Sequence, residues 1–389
     1  MPEVVIAGTG LIPAGEHWEL SLRSQATRAL LAAKKDSGGL EPQALYIGNF
    51  LASTVSHQSN LGALLTDWSN HRGIEGFTVE AAEASGAGAF RMGYLAVASG
   101  LVDVAAVVGV EKVTDVVGPA LENAIAEGMD YDFEAAQGLT LSGQAALVMQ
   151  RYMHVYRVPR QVFAGFPMLA HENAVGNPHA MFRRPISLKT YEEAAMVCDP
   201  LGLFDMAPYA DGAAAVILTR PELARAAPGR ALVRVSGSAV VIDALALHDR
   251  PDPLAFDAAR ISVQRACRQA GIAPQDVDFF ELTDSFSIYA ALSLEAAGFA
   301  PPGKGWELLQ DGALRRDGKL PIQTMGGFKA RGNPLGASGV YQIVEAARQL
   351  RGEAGACQVA GAKRALVQNL AGPASTAVTH VLERWEPKG

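Results

Sequence analysis

Cysteine is scarce in this sequence: Cys198, Cys267 and Cys357 are the whole complement, with no CxxC pair and no metal-ligand spacing. That excludes a disulfide-stapled scaffold and a cysteine-based metal site, and it fits the reduced thiols of a cytoplasmic protein. Charge is also sparse, at 19% of residues, and leans acidic, with a net charge of -7 and a pI near 5.7. No basic stripe interleaved with aromatics is present, so no nucleic-acid surface is expected. Long hydrophobic runs are missing too. Stretches such as 104–110 fall far short of the roughly 20 apolar residues that a membrane span needs. Met1–Ile6 enters a strand directly, without a basic or extended apolar leader, so neither a secretory signal nor a membrane span is expected.

What is present is a hydrophobic content of 49% spread over 389 residues, enough for two domains or one duplicated unit. Apolar runs at 4–12, 44–48, 77–80 and 103–110 read as strands, and 21–35 and 61–68 carry helical spacing. This alternation is the signature of an α/β sheet covered by helices. Residues 113–208 break the rhythm. They are rich in Met, His, Tyr and Pro, with a helical piece at 142–156, and are expected to form an insertion covering a site. A core strand returns at 211–218, and the charged stretch 221–230 reads as a link. From Leu232 the pattern restarts: a strand to Val241, a helix from about Pro253 to Ala270, a strand at 277–282 and an apolar helix at 286–297. Two halves, 1–225 and 226–389, and an internal duplication are expected.

Two stretches stand out. Val79–Gly100 reads as a strand end, a tight turn and a helix that is small or apolar on nearly every face, so that helix belongs in the interior. Glu83 then lies at the entrance of a buried helix, where it either complements the helix dipole or sits in a reactive pocket. The second stretch, 326–339, places Gly326, Gly327, Gly332, Gly336 and Gly339 before a helix. Glycines there permit close backbone approach to a ligand and free amides at the helix start, while a plain tight turn is the competing reading. Asp284, just before Phe286 at a helix start, reads as an N-cap.

With these residues in view, essentially the whole chain resembles the thiolase superfamily, nearest to its sterol-carrier-protein and archaeal types. The segment 326–339 resembles the thiolase GGxxxxGHPxGxSG loop, 83–86 the nucleophile turn, 200–215 the end of the N-terminal half, and 281–286 the position of a His-Asp-Cys-Phe motif. The resemblance implies two βαβαβαββ halves in a five-layered αβαβα arrangement, a homodimer and acyl-CoA as ligand or substrate. It also implies a degenerate site: Glu83, Asn333, Ser285 and Thr283 stand where reactive Cys and His residues are usual. By the same resemblance the amides of Glu83 and Gly372, joined by Asn333, are expected to polarise a thioester carbonyl, and Gly326, Gly327, Ala337 and Ser338 to contact CoA; His171 and His179, on the expected cover, are expected to meet CoA or a partner. No metal is expected. A carboxylate attacking a thioester gives an unstable mixed anhydride, and Asn333 cannot take a proton. Two readings follow. One is a non-thiolytic carbon–carbon lyase or condensing enzyme using Glu83. The other is a silent CoA-binding or scaffolding subunit with a small zinc-ribbon and OB-fold partner.

Overall fold

The computed structural model describes residues 2–224 and 230–385. The boundary expected at 225/226 lies outside the described residues. The first half runs β1 (Val5–Leu11), α1 (Leu22–Asp36), β2 (Ala44–Gly48), α2 (Leu61–Trp68), β3 (Glu75–Val79), α3 (Ser85–Ala98) and β4 (Val104–Glu111). The insertion then contributes α4 (Pro119–Ala126), α5 (Leu141–Tyr156), α6 (Gly165–Ala174), α7 (Leu188–Glu192) and the short pair β5 (Met196–Cys198) and β6 (Leu201–Gly202) before β7 (Gly212–Thr219). The second half follows as β8 (Leu232–Ile242), α8 (Asp257–Ala270), β9 (Phe279–Glu281), α9 (Ser287–Ala296), α10 (Gly327–Arg331), α11 (Ser338–Arg351), β10 (Arg364–Ala371) and β11 (Thr376–Trp385). Helix α8 starts at Asp257 rather than near Pro253, because Phe256 takes a left-handed φ of 45° that ends the preceding turn.

The strands form one mixed sheet in the order β3-β2-β4-β7-β1-β8-β11-β10-β9. The duplication shows in its pairings. In the first half β2 is parallel to β3 and β4, and β7 is antiparallel to β4 and β1. In the second half β9 is parallel to β10 and to a bridge at Ile322, and β11 is antiparallel to β10 and β8. The halves join where β1 meets β8 at Val5 and Ile6. This gives five layers: α1 and α2, the first half-sheet, α3 with α11, the second half-sheet, and α8 with α9.

The middle layer explains the small residues of α3. A Cβ on Gly86 would come within 2.8 Å of the Gly336 carbonyl, and one on Gly339 within 2.5 Å of the Ala87 amide. Only glycine allows the starts of the two central helices to touch backbone to backbone. That contact sets the Glu83 turn against the loop before α11. At the far edge of the sheet, β3 is largely exposed, with Phe77 59% accessible.

Candidate active site

The turn before α3 is braced locally. Ala82 adopts a left-handed φ of 48°, its N–H donates to Glu80 Oε1 at 2.6 Å, and the Ala81 N–H donates to Ser85 Oγ at 2.9 Å. Such a conformation is unusual for a β-carbon residue and persists because its surroundings over-determine it. It directs Glu83 inward, where the residue is only 7% exposed. Burial pushes the Glu83 carboxyl up to about 7; hydrogen bonds from its own amide and from the Gly372 amide pull it back, and Glu80 pushes it further up. The Gly372 N–H reaches Glu83 Oε2 at 3.2 Å.

The acid is held by its own amide, in the turn before α3, and by the Gly372 amide, just beyond β10, and it faces a cavity. That cavity measures about 10 Å³ and is lined by Ile125, Met129, Leu141, Gln144 and Gly372 among others, which is room for about one water. The two amides expected to serve a thioester oxygen are in this structure engaged by the Glu83 carboxylate itself.

Asn333 is buried next to the same region. Its Oδ1 accepts from Ser338 Oγ at 2.7 Å, its N–H donates to the Pro208 carbonyl at 2.9 Å, and its carbonyl accepts from Ala210 N–H at 3.1 Å. Ser338 thus orients Asn333, leaving the amide nitrogen as the end that Ser338 does not hold. Thr283 is committed elsewhere: its hydroxyl donates to the Gln368 carbonyl at 3.1 Å and accepts from the Leu370 N–H at 3.0 Å, tying the end of β9 to β10. Ser285 is half-buried, and its carbonyl accepts from the Ala207 N–H at 2.8 Å.

The glycine-rich loop corrects the expectation of free amides. Residues 321–347 are all buried. Asp284 Oδ1 accepts from Phe328 N–H at 2.7 Å and its Oδ2 from Lys329 N–H at 3.2 Å, so Asp284 caps α10 rather than its own helix α9. A Cβ on Gly327 would lie 2.4 Å from that carboxylate, so the glycine makes room for Asp284. Gly336 N–H goes to Glu111 Oε2 at 3.1 Å. Gly326 packs on Ala174, and Ala337 is buried in the middle layer. Buried carboxylates of the chain itself hold these helix-start amides, a pairing that local spacing cannot reveal.

A larger cleft of about 970 Å³ opens beside this core, beneath the insertion. Its wall includes His171, Phe182, Phe204, Met206, Pro208 and Lys329, with Arg183 and Arg184 exposed at it. The His171 ring lies nearly parallel to Phe182 at 5.9 Å, and Nδ1 bonds the Arg184 carbonyl at 3.0 Å. Burial pulls Lys329 down to about 8 while Asp205 and Asp284 push it back up; its Nζ donates to the carbonyls of Met206 and Leu203 at 2.6 and 3.2 Å. His179 is absent from this wall; its N–H bonds Asn177 Oδ1 at 3.0 Å. Among the described residues no His, Cys, Asp and Glu group has the arrangement of a metal site, and no helix is long and apolar enough to cross a membrane.

Two residues near Glu83 drew no notice in the sequence, Tyr209 and Tyr289. Their hydroxyls are buried without a hydrogen-bond partner, and both phenols are pushed well above the ordinary tyrosine range, chiefly by burial and in part by the Glu83 charge. In the sequence they pass for core aromatics, since neither belongs to a recognisable spacing.

A duplicated α/β protein in five layers, with an acid at the tip of its first central helix and a cleft under an insertion, is the class these features define. The description "Thiolase, N-terminal domain" matches residues 4–222 and "Thiolase C-terminal domain-like" matches 239–384, and the chain belongs to the thiolase family. It is 40% identical over 386 residues to an acetyl-CoA acetyltransferase of Methanothermobacter thermautotrophicus, covering 99% of this chain and 100% of the relative. It is 31% identical over 374 residues to the benzoylsuccinyl-CoA thiolase subunit BbsB of Thauera aromatica, covering 95% and 94%. Among solved structures, the Ltp2-ChsH2(DUF35) aldolase superposes with a TM-score of 0.85 at 24% identity over 98% of each chain, a likeness of fold.

Proposed function

We propose that this protein acts on acyl-CoA esters in a carbon–carbon bond step that passes through no acyl-enzyme, with Glu83 as the acid–base group. The observation that carries the reading is a buried carboxyl, poised near neutrality at the start of α3, where the resemblance places a thiolate nucleophile. An acid with a pKa close to the working pH both takes and returns a proton. In the cleavage direction Glu83 removes the proton of a 3-hydroxyl, the bond between C2 and C3 breaks, a carbonyl forms at C3, and its electron pair passes to the thioester enolate. Returning the proton to C2 completes the step. Ser285 and Asn333, in place of reactive Cys and His, fit a reaction that needs no thiolate. The solved structure of like fold is named as an aldolase, and the acetyltransferase relative is named for acetyl transfer on CoA, so both names concern CoA-ester or carbon–carbon bond chemistry. The cleft suits the CoA portion, with Arg183 and Arg184 placed to meet its phosphates.

One observation favours a second reading, a silent CoA-binding or scaffolding subunit: the cavity at Glu83 holds no more than about a water in this conformation. A panel of 3-hydroxyacyl-CoA and 3-oxoacyl-CoA esters separates the two. Turnover by the wild type that falls at least a hundredfold in Glu83→Gln, with ester binding kept, is the expected result. Binding without turnover of any ester would leave the silent subunit.

We also propose two assemblies. A small zinc-ribbon and OB-fold partner is suggested by the resemblance and by the paired chains named in the aldolase structure. A homodimer along the exposed β3 edge is suggested by its unpaired backbone and by Phe77, since natural edges of this kind are covered or charged. Phe77→Asp is expected to shift the sedimentation coefficient from dimer to monomer; a wild type that sediments as a monomer would rule the dimer out.

A further inference from the structure

Resting on the proposed acyl-CoA reading, we infer that Tyr209 and Tyr289 donate hydrogen bonds to an oxygen on the acyl chain of the bound ester, forming a donor pocket that replaces the backbone amides held by Glu83. The starting point is a concentration of unpaired groups. Tyr209 Oη, Tyr289 Oη, Gln144 Oε1, Glu122 Oε2 and Arg250 Nη2 are all buried without a partner. Native interiors satisfy about nine in ten such atoms, so several around one acid call for a cause. Charge links them to one region: Glu83 and Glu122 act on Tyr209, and Glu83, Arg250 and Tyr209 act on Tyr289. Gln144 lines the Glu83 cavity and is held through its Nε2 by Glu134 at 3.0 Å.

Chemistry then narrows the role. Burial keeps both phenols protonated, so each has a hydrogen to donate. Both are rigidly placed. Tyr289 on α9 packs edge-on against Phe286 and Phe256, at 5.1 and 5.6 Å. Tyr209 follows the cleft residues Met206–Pro208 directly and pairs its backbone with Asn333. Its backbone thus continues from the cleft wall at Pro208, while its buried hydroxyl feels the Glu83 charge and the residue as a whole stays partly exposed. Arg250, anchored by the carbonyls of Ala244 and Pro373, adds positive charge on the Tyr289 side. Two neutral donors backed by a cation fit a hydroxyl, ketone or enolate oxygen, and they discriminate against an unsubstituted acyl chain, which offers no acceptor at that place.

The experiment compares calorimetric affinities for butyryl-CoA and 3-hydroxybutyryl-CoA. The wild type is expected to prefer the hydroxyl ester about tenfold, the size of two neutral hydrogen bonds. In Tyr209→Phe and Tyr289→Phe that preference is expected to shrink towards unity, with butyryl-CoA affinity unchanged. Each variant is also expected to melt at or above the wild-type temperature, since a hydroxyl without a partner is removed. Equal affinity of the wild type for both esters, a preference that survives both substitutions, or a lowered melting temperature would overturn the inference. Glu83→Gln keeps the two proposals apart: it is expected to retain the hydroxyl preference while losing turnover. Preference kept with turnover also kept sinks the role of Glu83 alone, turnover lost without any preference sinks the phenol pocket alone, and a wild type that binds neither ester sinks both.

Discussion

Glu83→Gln is expected to melt several degrees above the wild type at pH 8 and to match it near pH 5. The carboxyl ionises near 4.5 in the unfolded chain and near 7 in the fold, because burial disfavours its charged form. Between those values the native state binds the proton more tightly, so stability falls as pH rises through the window and the cost is complete above pH 7. A shift of this size corresponds to about 3 kcal/mol as an upper figure. Glutamine keeps the shape and the acceptor oxygen for the Gly372 amide without the charge. Glu111, pushed by burial to about 7 as well, is the contrasting case. Its carboxylate accepts from Phe50 N–H, Leu51 N–H, Asn49 Nδ2 and Gly336 N–H, so an amide there would set donor against donor. Scanning calorimetry at the two pH values checks the point. The same difference between Glu83→Gln and wild type at both would mean that Glu83 carries no such cost.

Asp211→Ala is expected to lower stability by about 3–5 kcal/mol, the range for breaking a buried charged network. The side chain is fully buried at the entrance to β7. It accepts from Val113 N–H at 2.7 Å, Thr114 N–H at 2.9 Å, Thr114 Oγ1 at 2.7 Å, Lys112 Nζ at 2.8 Å and His17 N–H at 3.1 Å. Alanine leaves three backbone amides unpaired and Lys112 with only the half-exposed Asp115. A drop in melting temperature of roughly 4–6 °C follows at neutral pH for a chain of this length. The pH dependence runs opposite to that of Glu83. Burial alone would raise the Asp211 carboxyl, but Lys112, Thr114 and Val113 together hold it below its usual value. Its contribution is full above the unfolded carboxyl pKa and disappears as pH falls through the lower folded one, so the gap between variant and wild type closes in acid. A melting temperature unchanged at pH 7 would remove Asp211 from the account.

The particular residues divide by the range of the forces that place them. The strands expected at 44–48 and 103–110, the latter found at Val104–Glu111, and the helix at 61–68 were legible because alternation and apolar runs act between near neighbours. The repeated rhythm from Leu232 announced the duplicated topology for the same reason. The glycines of 326–339 signalled close approach, but not to what: their neighbours are Asp284, Ala174, Phe50 and Ala87, supplied by other elements. Thr283 looked like a site residue by position, yet its hydroxyl closes a contact with Gln368 and Leu370 across the β9–β10 pair. Tyr209 and Tyr289 looked like core, because an unpaired hydroxyl is a property of surroundings and leaves no pattern in spacing.

The sequence by itself thus determined the α/β alternation, the interior character of α3 and the presence of an acid at its start, all set by residue types and local period. Only the tertiary structure decided that this acid takes the Gly372 amide 289 positions away, that burial brings it near neutrality, and that two phenols share its field. Desolvation and hydrogen-bond pairing depend on which distant segments pack together, and no local pattern records that.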